Sequence, residues 1–349
     1  MESKHKFELI LSALRNELWS GVYPLGARFP SEYELADRFG VNKMTANKAV
    51  SQLVFEGYLQ RGGRGSNTKV IMTEKFPKGY FVYIAPLAHE INRLILTGIE
   101  NYAFSNGYSV IFYAPPADQM TSYMHRLTRP EITGILTSSY GVLDVPGKNV
   151  IHLFLSLPET DHVHHTISMD SYGAGSKMLQ ELLAKGHREI IMFHYPYSIS
   201  TAGTLWLRGV QDAMAAAGID NITDRVLTNA QYDEMGVYSE LKTKLMRYPD
   251  TTAIITNSDN DAMLVLNAIK RLGLPEDRIC VTGGGYLPLI NNVHPLPTTF
   301  CPVLTVGRMG CEKLVEMKEN GVPAEPIRQI MDVDLIHTEL IPEIRQKRR

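Results

Sequence analysis

The first 72 residues alternate amphipathic stretches with breaks rich in glycine and proline. From 5 to 19, apolar side chains recur at steps of three and four residues, which predicts a helix. Ser31 stands three residues before Glu34, and this capping-box spacing predicts that a second helix begins at Ser31. We expect that helix to be short, because Gly40 ends it.

A third helix and a hairpin follow. Asn42 is placed to cap the helix, whose apolar residues gather on one side and which ends at Gly57. The segment 58–72 predicts two short strands around a glycine-rich turn. Three helices and a hairpin together indicate a winged helix-turn-helix over residues 1–72, and the polar stretch 73–79 is predicted to be a linker.

From Tyr80 onward, short apolar runs alternate with helical stretches. This alternation is typical of parallel strands that are covered on both faces. The predicted strands are 80–85, 108–113, 132–138, 150–156, 189–195, 251–256 and 278–283. Because residues 80–349 exceed the length of one such sheet, we expect an α/β domain of two lobes, each a doubly wound parallel sheet. A ligand cleft is then expected at the carboxyl ends of the strands.

The N-terminal region resembles the GntR family of bacterial regulators over roughly residues 5–72. The resemblance is carried by the run RFPSEYELADRFGVNKMTANKAVSQLVFEGYLQRGGRG at 28–65. In that family, a Pro-Ser-Glu-x-Glu-Leu-Ala run opens the second helix and a Gly-Val-Ser-Arg-x-Thr-Val-Arg run opens the recognition helix. The resemblance implies binding to double-stranded operator DNA.

The residue types support the same hypothesis without the family. A recognition helix presents its N-terminal residues to base edges in the major groove, and helix N-termini donate to phosphate. A cation on the wing is placed to follow the adjacent minor groove. The predicted DNA-binding residues are Ser31, Tyr33, Asn42, Lys43, Met44, Thr45, Asn47, Lys48, Arg64 and Gly65.

Three of these positions depart from the family pattern. Lys43 and Asn47 stand where the family usually has Arg, and Tyr33 stands where it often has Arg in the second helix. Lysine is a point charge rather than a planar fork, so fewer bidentate guanine contacts are expected. For Asn47 the expectation is bidentate pairing with adenine.

Residues 80–335 resemble the LacI and periplasmic-sugar-binding superfamily. The matching runs are SMDSYGAGSKMLQELLAKGHREIIMF at 168–193, TTAIITNSDNDAMLVLNAIKRLGLPEDRICVTG at 251–283 and PLPTTFCPVLTVGRMGCEKLVEM at 295–317. A GntR head on a LacI-like body resembles the arabinose-repressor class, whose effectors are sugars. The resemblance therefore implies a periplasmic-binding-protein-like domain that binds a small molecule, with a sugar as the expected effector.

The ligand positions of that superfamily are only partly kept. Trp206 stands where the family commonly has an Arg, and Arg208 lies directly before the following glycine. The run 283–286 reads Gly-Gly-Gly-Tyr where the family has Gly-Phe/Tyr-Asp-Asp, whose Asp holds sugar hydroxyls. Ser258 and Asp259 do match the Asn-Asp pair at the cleft rim. The alternative thus stays open that the cleft is degenerate and responds to a non-sugar ligand or a protein partner.

The effector-site residues are predicted from their positions just after strands. Aromatic rings cover the apolar faces of a small ligand, and a few polar groups fix its orientation. The predicted residues are His89, Asn92, Ser138, Tyr195, Tyr197, Trp206, Arg208, Tyr232, Asp259 and Tyr286. Structural alternatives exist for several of them: Tyr195 and Tyr197 as surface loop residues, and Trp206 as a core residue.

Charge and composition narrow the remaining possibilities. The net charge is −2, but residues 1–75 carry 11 Lys and Arg against 8 Asp and Glu, while the rest carry 24 against 29. A basic head on an acidic body suits a protein of which one part meets phosphate. Three scattered cysteines do not form a disulfide framework. Without a signal peptide or an 18-residue apolar run, we expect a cytoplasmic protein with no membrane partner.

No catalytic constellation is found, so no enzyme activity and no cofactor are expected. The cluster of His162, His164 and His165 lies in a predicted loop with only Asp161 at ligand spacing, and no metal is expected there. Because one head reads few bases, we expect a homodimer on a pseudo-palindromic operator.

Overall fold

The computed structural model describes residues 2–63, 67–73, 77–86, 89–116, 119–155, 157, 160–194, 201–227, 233–275 and 277–344. The chain separates into two compact units, Met1–Gly79 and Tyr80–Arg349. Their boundary falls at the end of the stretch 73–79, whose role as a linker stays a prediction. Over the described residues, no helix combines the length and the apolar character that crossing a membrane requires.

The first unit has the predicted order of three helices and a hairpin. The elements are α1 (Glu2–Trp19), α2 (Glu32–Phe39), α3 (Lys43–Phe55), β1 (Leu59–Gln60) and β2 (Lys69–Val70), the two strands pairing antiparallel. The capping box at Ser31 and the cap at Asn42 are confirmed, and α1 begins three residues earlier than predicted. Leu14, Leu35, Leu53 and other fully buried side chains from all three helices form one core.

The second unit begins with a six-stranded, all-parallel sheet. Its spatial order is β4-β3-β5-β6-β7-β13. The strands are β3 (Tyr80–Ile84), β4 (Ser109–Tyr113), β5 (Ile132–Thr137), β6 (Val150–Leu153), β7 (His165–Met169) and β13 (Arg328–Met331). Helices α4 (Glu90–Asn106), α5 (Met120–Leu127) and α11 (Val303–Asn320) complete this first lobe. Parallel pairing places the carboxyl ends of all six strands at one edge.

The second lobe is a smaller parallel sheet in the order β9-β8-β10-β11. Its strands are β8 (Ile190–Phe193), β9 (Val226–Leu227), β10 (Ala253–Thr256) and β11 (Cys280–Thr282). Its helices are α6 (Ser171–Ala184), α7 (Thr201–Ala216), α8 (Glu234–Arg247), α9 (Asp259–Arg271) and α10 (Pro288–Asn291). A separate antiparallel pair, β12 (Thr298–Phe300) with β14 (Asp334–Ile336), lies on the segments that return the chain from one lobe to the other. The expected fold class, a winged helix-turn-helix followed by two doubly wound sheets, is confirmed.

Glycines allow the long helices to pack closely. A Cβ added at Gly307 of α11 would lie 2.4 Å from the backbone oxygen of Ile95 in α4. In the second lobe, a Cβ at Gly209 of α7 would lie 2.1 Å from the backbone oxygen of Tyr172 in α6. Both distances are far below van der Waals contact with backbone that cannot rotate away. The two helix pairs therefore cross at glycine, and larger side chains would force them apart.

Candidate functional site

The recognition helix α3 has one buried and one exposed side. Ala46, Ala49, Val50 and Leu53 are buried against the core of the first unit. The opposite side is exposed and carries the polar or basic residues Lys43, Asn47, Lys48 and Ser51 and the apolar Met44. The predicted DNA-facing residues of α3 thus lie together on one exposed surface.

Three of the predicted residues first serve the helix ends. The Ser31 hydroxyl accepts from the backbone N–H of Glu34 at 3.3 Å, and the Glu34 carboxylate accepts from the N–H of Ser31 at 2.6 Å. Asn42 Oδ1 accepts from both the backbone N–H (2.8 Å) and the hydroxyl (2.9 Å) of Thr45. These bonds fix the starts of α2 and α3, where unpaired N–H groups favour an anion such as phosphate.

Lys43 and Tyr33 contact one another. The Lys43 ammonium lies 3.8 Å from the centre of the Tyr33 ring, a cation–π contact between α3 and α2. Tyr33 is 68% exposed, so the contact lies at the surface, and the neighbouring Met44 is 65% exposed. The tyrosine therefore holds the single charge at the start of α3.

Arg61, just after β1, was missed by the sequence reasoning. Its Nη2 donates to Asn47 Oδ1 at 3.2 Å and to the Ser51 hydroxyl at 2.8 Å, and its Nη1 lies 3.4 Å from a Glu32 carboxylate oxygen. A signal was available in the sequence. Arg61 stands at the start of the wing, which follows a recognition helix in which Asn47 replaces the family's arginine. Two other predicted DNA-binding residues, Arg64 and Gly65, lie outside the described residues.

At the strand ends of the first lobe, the predicted residues hydrogen-bond to each other. Asn92 Oδ1 accepts from the Ser138 hydroxyl at 2.8 Å, and Asn92 Nδ2 donates to the backbone oxygen of Pro86 at 2.7 Å. The Tyr83 hydroxyl lies 2.8 Å from that of Ser138, and burial raises the pKa of Tyr83. The structure therefore brings Asn92 and Ser138 together as buried residues that connect the loops after β3 and β5, and their role in effector binding stays a prediction. His89, the N-cap of α4, is exposed and makes no side-chain cap bond.

Asp259 is also placed inside the protein. Its side chain is fully buried and accepts from the backbone N–H of Leu287, from Asn291 Nδ2 and from the Thr298 hydroxyl, each at 2.6 Å. Burial outweighs these hydrogen bonds and raises the pKa of the Asp259 carboxyl. A Cβ at Gly283 would lie 2.0 Å from Asp259 Oδ1, which explains a glycine there. Asp259 joins α9, α10 and β12 in this conformation, and its role in ligand binding stays a prediction.

Two further predicted residues lie in α7 in different surroundings. Trp206 is only 3% exposed and belongs to the core between α6 and α7. The Arg208 side chain is 71% exposed and lies 3.7 Å from the carboxylate of Asp212 one turn away. The core alternative considered for Trp206 thus matches its surroundings. Tyr195, Tyr197 and Tyr232 lie outside the described residues.

His194, directly after β8, was not singled out from the sequence although its position follows the same rule. It is 7% exposed, and no group hydrogen-bonds its Nδ1 over the part of the chain that the structure describes. Burial lowers its pKa, so the ring is neutral at pH 7. Its ring stacks on Trp206 at 6.3 Å, and it flanks the first turn of α7 together with Asn257, which directly follows β10. An uncommitted neutral imidazole and an amide thus meet at the carboxyl edge of this sheet.

Left-handed backbone also marks these edges. Ser139 after β5, Phe154 after β6 and Tyr286 after β11 have φ values of 67°, 57° and 41°. Residues other than glycine adopt this region at a cost, and such positions cluster at binding sites. The Tyr286 ring lies 5.8 Å from that of Phe300.

One hydrogen bond joins loops from the two sheet edges. The backbone N–H of Leu289, in α10, donates to the carboxylate of Glu90, the first residue of α4, at 3.4 Å. Since α4 follows the end of β3 and α10 follows the end of β11, this contact places the carboxyl edges of the two sheets toward each other. This is the position at which doubly wound sheets bind ligands.

Comparison with known proteins gives matches for both units. Residues 8–68 match the bacterial regulatory proteins of the gntR family, and residues 179–337 match the periplasmic binding protein-like domain. The regulator GmuR of Bacillus subtilis is 38% identical over 69 residues, which span only 29% of GmuR. The arabinose metabolism transcriptional repressor of Geobacillus stearothermophilus is 22% identical over 321 residues, 86% of this chain and 87% of that one.

Solved structures of transcriptional regulators share the fold. The regulator CelR in complex with cellobiose has a TM-score of 0.64 at 17% identity, over 88% of this chain and 98% of that one. The lac repressor dimer bound to operator and an anti-inducer has a TM-score of 0.63 at 19% identity, over 75% of this chain and 93% of that one.

The fold, the exposed recognition helix and the matches define a DNA-binding transcriptional regulator whose larger unit shares the fold of the lac repressor. Its N-terminal unit is a helix-turn-helix of the gntR family, and its larger unit is a periplasmic-binding-protein-like domain. The resemblances that the sequence motifs indicated are confirmed.

Proposed function

We propose that this regulator is a repressor that binds a pseudo-palindromic operator as a homodimer and is controlled by a small uncharged polar molecule, a sugar, bound between the lobes. The observation that carries the proposal is the exposed polar side of α3 in one unit together with a strand-end cleft in the other. It is supported by the relative named an arabinose metabolism repressor and by the regulator structure that contains cellobiose.

The cleft chemistry supports a neutral polar ligand. His194 offers a neutral ring that donates or accepts, and Asn257 offers an amide beside it. Tyr286 is half-buried and provides an aromatic face of the kind that covers the apolar side of a small ligand. Such a set binds and orients a molecule, and we infer that the protein acts by binding rather than by catalysis, as its relatives named as regulators do.

A non-sugar ligand or a protein partner is the second candidate, because a carboxylate and an amide predicted for the cleft already hydrogen-bond within the protein. Asp259, Asn92 and Ser138 already spend their hydrogen bonds within the protein, which leaves few groups for sugar hydroxyls. A cleft of this kind also suits a non-sugar ligand or a protein partner.

A thermal-shift screen of the full chain distinguishes these candidates. The compounds are monosaccharides, disaccharides and nucleosides, and a ligand at 100 times its dissociation constant adds about 2.7 kcal/mol of stability. The thermal shift should disappear in His194→Ala. It should persist in Asn260→Ala, because Asn260 is an exposed residue next to the buried Asp259. If sugars give no shift and a nucleoside or another compound does, the sugar assignment is wrong. If a sugar shifts both variants equally, the site assignment is wrong.

DNA control is tested with any compound that the screen returns. Operator affinity should fall when the compound is added, since a ligand shifts an equilibrium only through its preference for one lobe arrangement. Footprinting that showed a monomer on a single unsymmetric half-site would contradict the dimeric repressor.

A further inference from the structure

Asn47 is held in one orientation by a residue outside the recognition helix. We propose that Arg61 is a positioning residue that restricts Asn47 to donating hydrogen bonds, so that this position of the operator is read as guanine rather than adenine. The inference rests on the proposed function in that α3 must enter the major groove. It replaces the expectation that Asn47 pairs bidentately with adenine.

The chemistry of arginine fixes which end of the Asn47 amide faces it. A guanidinium only donates, so the atom 3.2 Å from Arg61 Nη2 has to be the carbonyl oxygen. The Ser51 hydroxyl donates to the same oxygen from 3.0 Å. A carbonyl oxygen has two acceptor sites, and both are used. The free end of the side chain is therefore the NH₂ group.

That orientation decides which base edge fits. Adenine presents an acceptor and a donor in the major groove, and a bidentate contact needs the amide to accept as well as donate. Guanine presents two neighbouring acceptors, N7 and O6, which suit a group that only donates. With its carbonyl occupied, Asn47 matches guanine and leaves the amino group of adenine unpaired.

Arg61 itself is poorly placed to act as a free phosphate contact. Its other nitrogen lies 3.4 Å from the Glu32 carboxylate, which offsets its charge, and the two side chains are 43% and 24% exposed. Lys43 has no such carboxylate partner among the described residues and rests on the neutral Tyr33 ring. Loss of Arg61 should therefore alter base preference more than salt dependence, and loss of Lys43 should do the reverse.

The test selects DNA sites from a random duplex library with the full chain, so the operator need not be known. Asn47→Ala identifies the position that this residue reads, because preference relaxes there alone. At that position the wild type should favour guanine over adenine by about tenfold, and Arg61→Ala should abolish or invert this ratio. Arg61→Lys, which keeps a donor for the carbonyl, should retain guanine. Arg28→Ala removes a different exposed guanidinium and should leave the whole base spectrum unchanged.

A base analogue distinguishes the loss of the Asn47–guanine contact from a general loss of structure in the Arg61 variants. Replacing the selected guanine by 7-deazaguanine should weaken the wild type several-fold and leave Asn47→Ala unaffected. If Arg61→Ala keeps the guanine preference, or if Arg61→Lys loses it at unchanged affinity, the inference is overturned while the proposed function stands. If the wild type enriches no sequence at all, the proposed function fails first.

Discussion

Replacing Asp259 by alanine tests whether this carboxylate braces the second lobe. The change removes the acceptor of three buried donors, on Leu287, Asn291 and Thr298. A buried donor without a partner costs about 1–3 kcal/mol, which would sum to several kcal/mol if none found a substitute. Two effects offset part of this cost. Water can enter the vacated space, and the variant no longer buries a carboxylate, whose unfavourable burial raises the pKa of Asp259. We therefore expect a loss of about 3 kcal/mol in the free energy of unfolding.

Urea denaturation measures the effect. In a Trp19→Phe background the fluorescence comes from Trp206, which lies in the same lobe as Asp259. With a slope of about 1–3 kcal/mol per molar urea, the midpoint should fall by about 1 M or more. Asn260→Ala, the exposed next residue of α9, is the matched control and should leave the midpoint nearly unchanged. A midpoint within about 0.3 M of the wild type, together with loss of the effector response, would refute the brace and make Asp259 a ligand contact.

Three further perturbations have defined outcomes. Lys43→Ala should reduce the slope of log affinity against log salt by about one, and an unchanged slope in salt titrations would remove Lys43 from the phosphate contacts. Gly307→Ala should cost about 1–3 kcal/mol by separating α4 and α11, whereas its exposed neighbour Arg308→Ala should cost a few tenths in the same denaturation assay. His164→Ala should lower the melting temperature more at pH 6 than at pH 8. Burial acts to lower the pKa of His164, but the hydrogen bond and charge of Asp161 outweigh it, so the pKa is raised. The stabilisation is therefore present below the unfolded-state pKa and is lost as pH rises through the folded-state pKa. Equal losses of melting temperature at both pH values would contradict this.

The first unit was predictable from sequence because its signals are local. A capping box spans four residues, and the glycines that end the helices stand beside them. Arg61 was missed because its contacts join positions 10 and 14 residues apart through the shape of the wing. No periodicity within α3 shows which side chain from elsewhere will hold Asn47.

The strands of the second unit were predicted where they are mainly apolar. β3, β5 and β10 are of this kind, and each was found within two residues of its predicted bounds. β7 and β13 were missed because they carry polar residues, and they pair with each other across 162 positions, as Arg328 with Thr166. A strand whose partner arrives so late in the chain has no local signal beyond its own few residues.

The strand-end rule located the cleft but not the direction of its side chains. Asp259, Asn92 and Ser138 were chosen as ligand groups because polar residues after strands usually face a cleft. In this structure all three hydrogen-bond to other groups of the protein, and their part in ligand binding stays a prediction. Whether a carboxylate turns inward depends on donors that come from other segments, and Leu287 and Thr298 are 28 and 39 positions away from Asp259.

The turn after β11 has glycine at 285, where the superfamily pattern has an aspartate. Gly285 has a φ of 85°, a conformation that side chains other than glycine rarely adopt, yet a Cβ there would meet no atom within 4 Å. The turn after β11 therefore offers space beside the cleft but no backbone on which an aspartate fits without strain. On the proposed function, we expect recognition at the neighbouring strand ends, where His194 keeps an unbonded nitrogen and Asn257 lies beside it. Because a buried neutral imidazole adds direction without charge, a ligand selected there is held by its hydrogen-bond pattern and shape, and a charged molecule would lose its hydration without gaining an opposite charge.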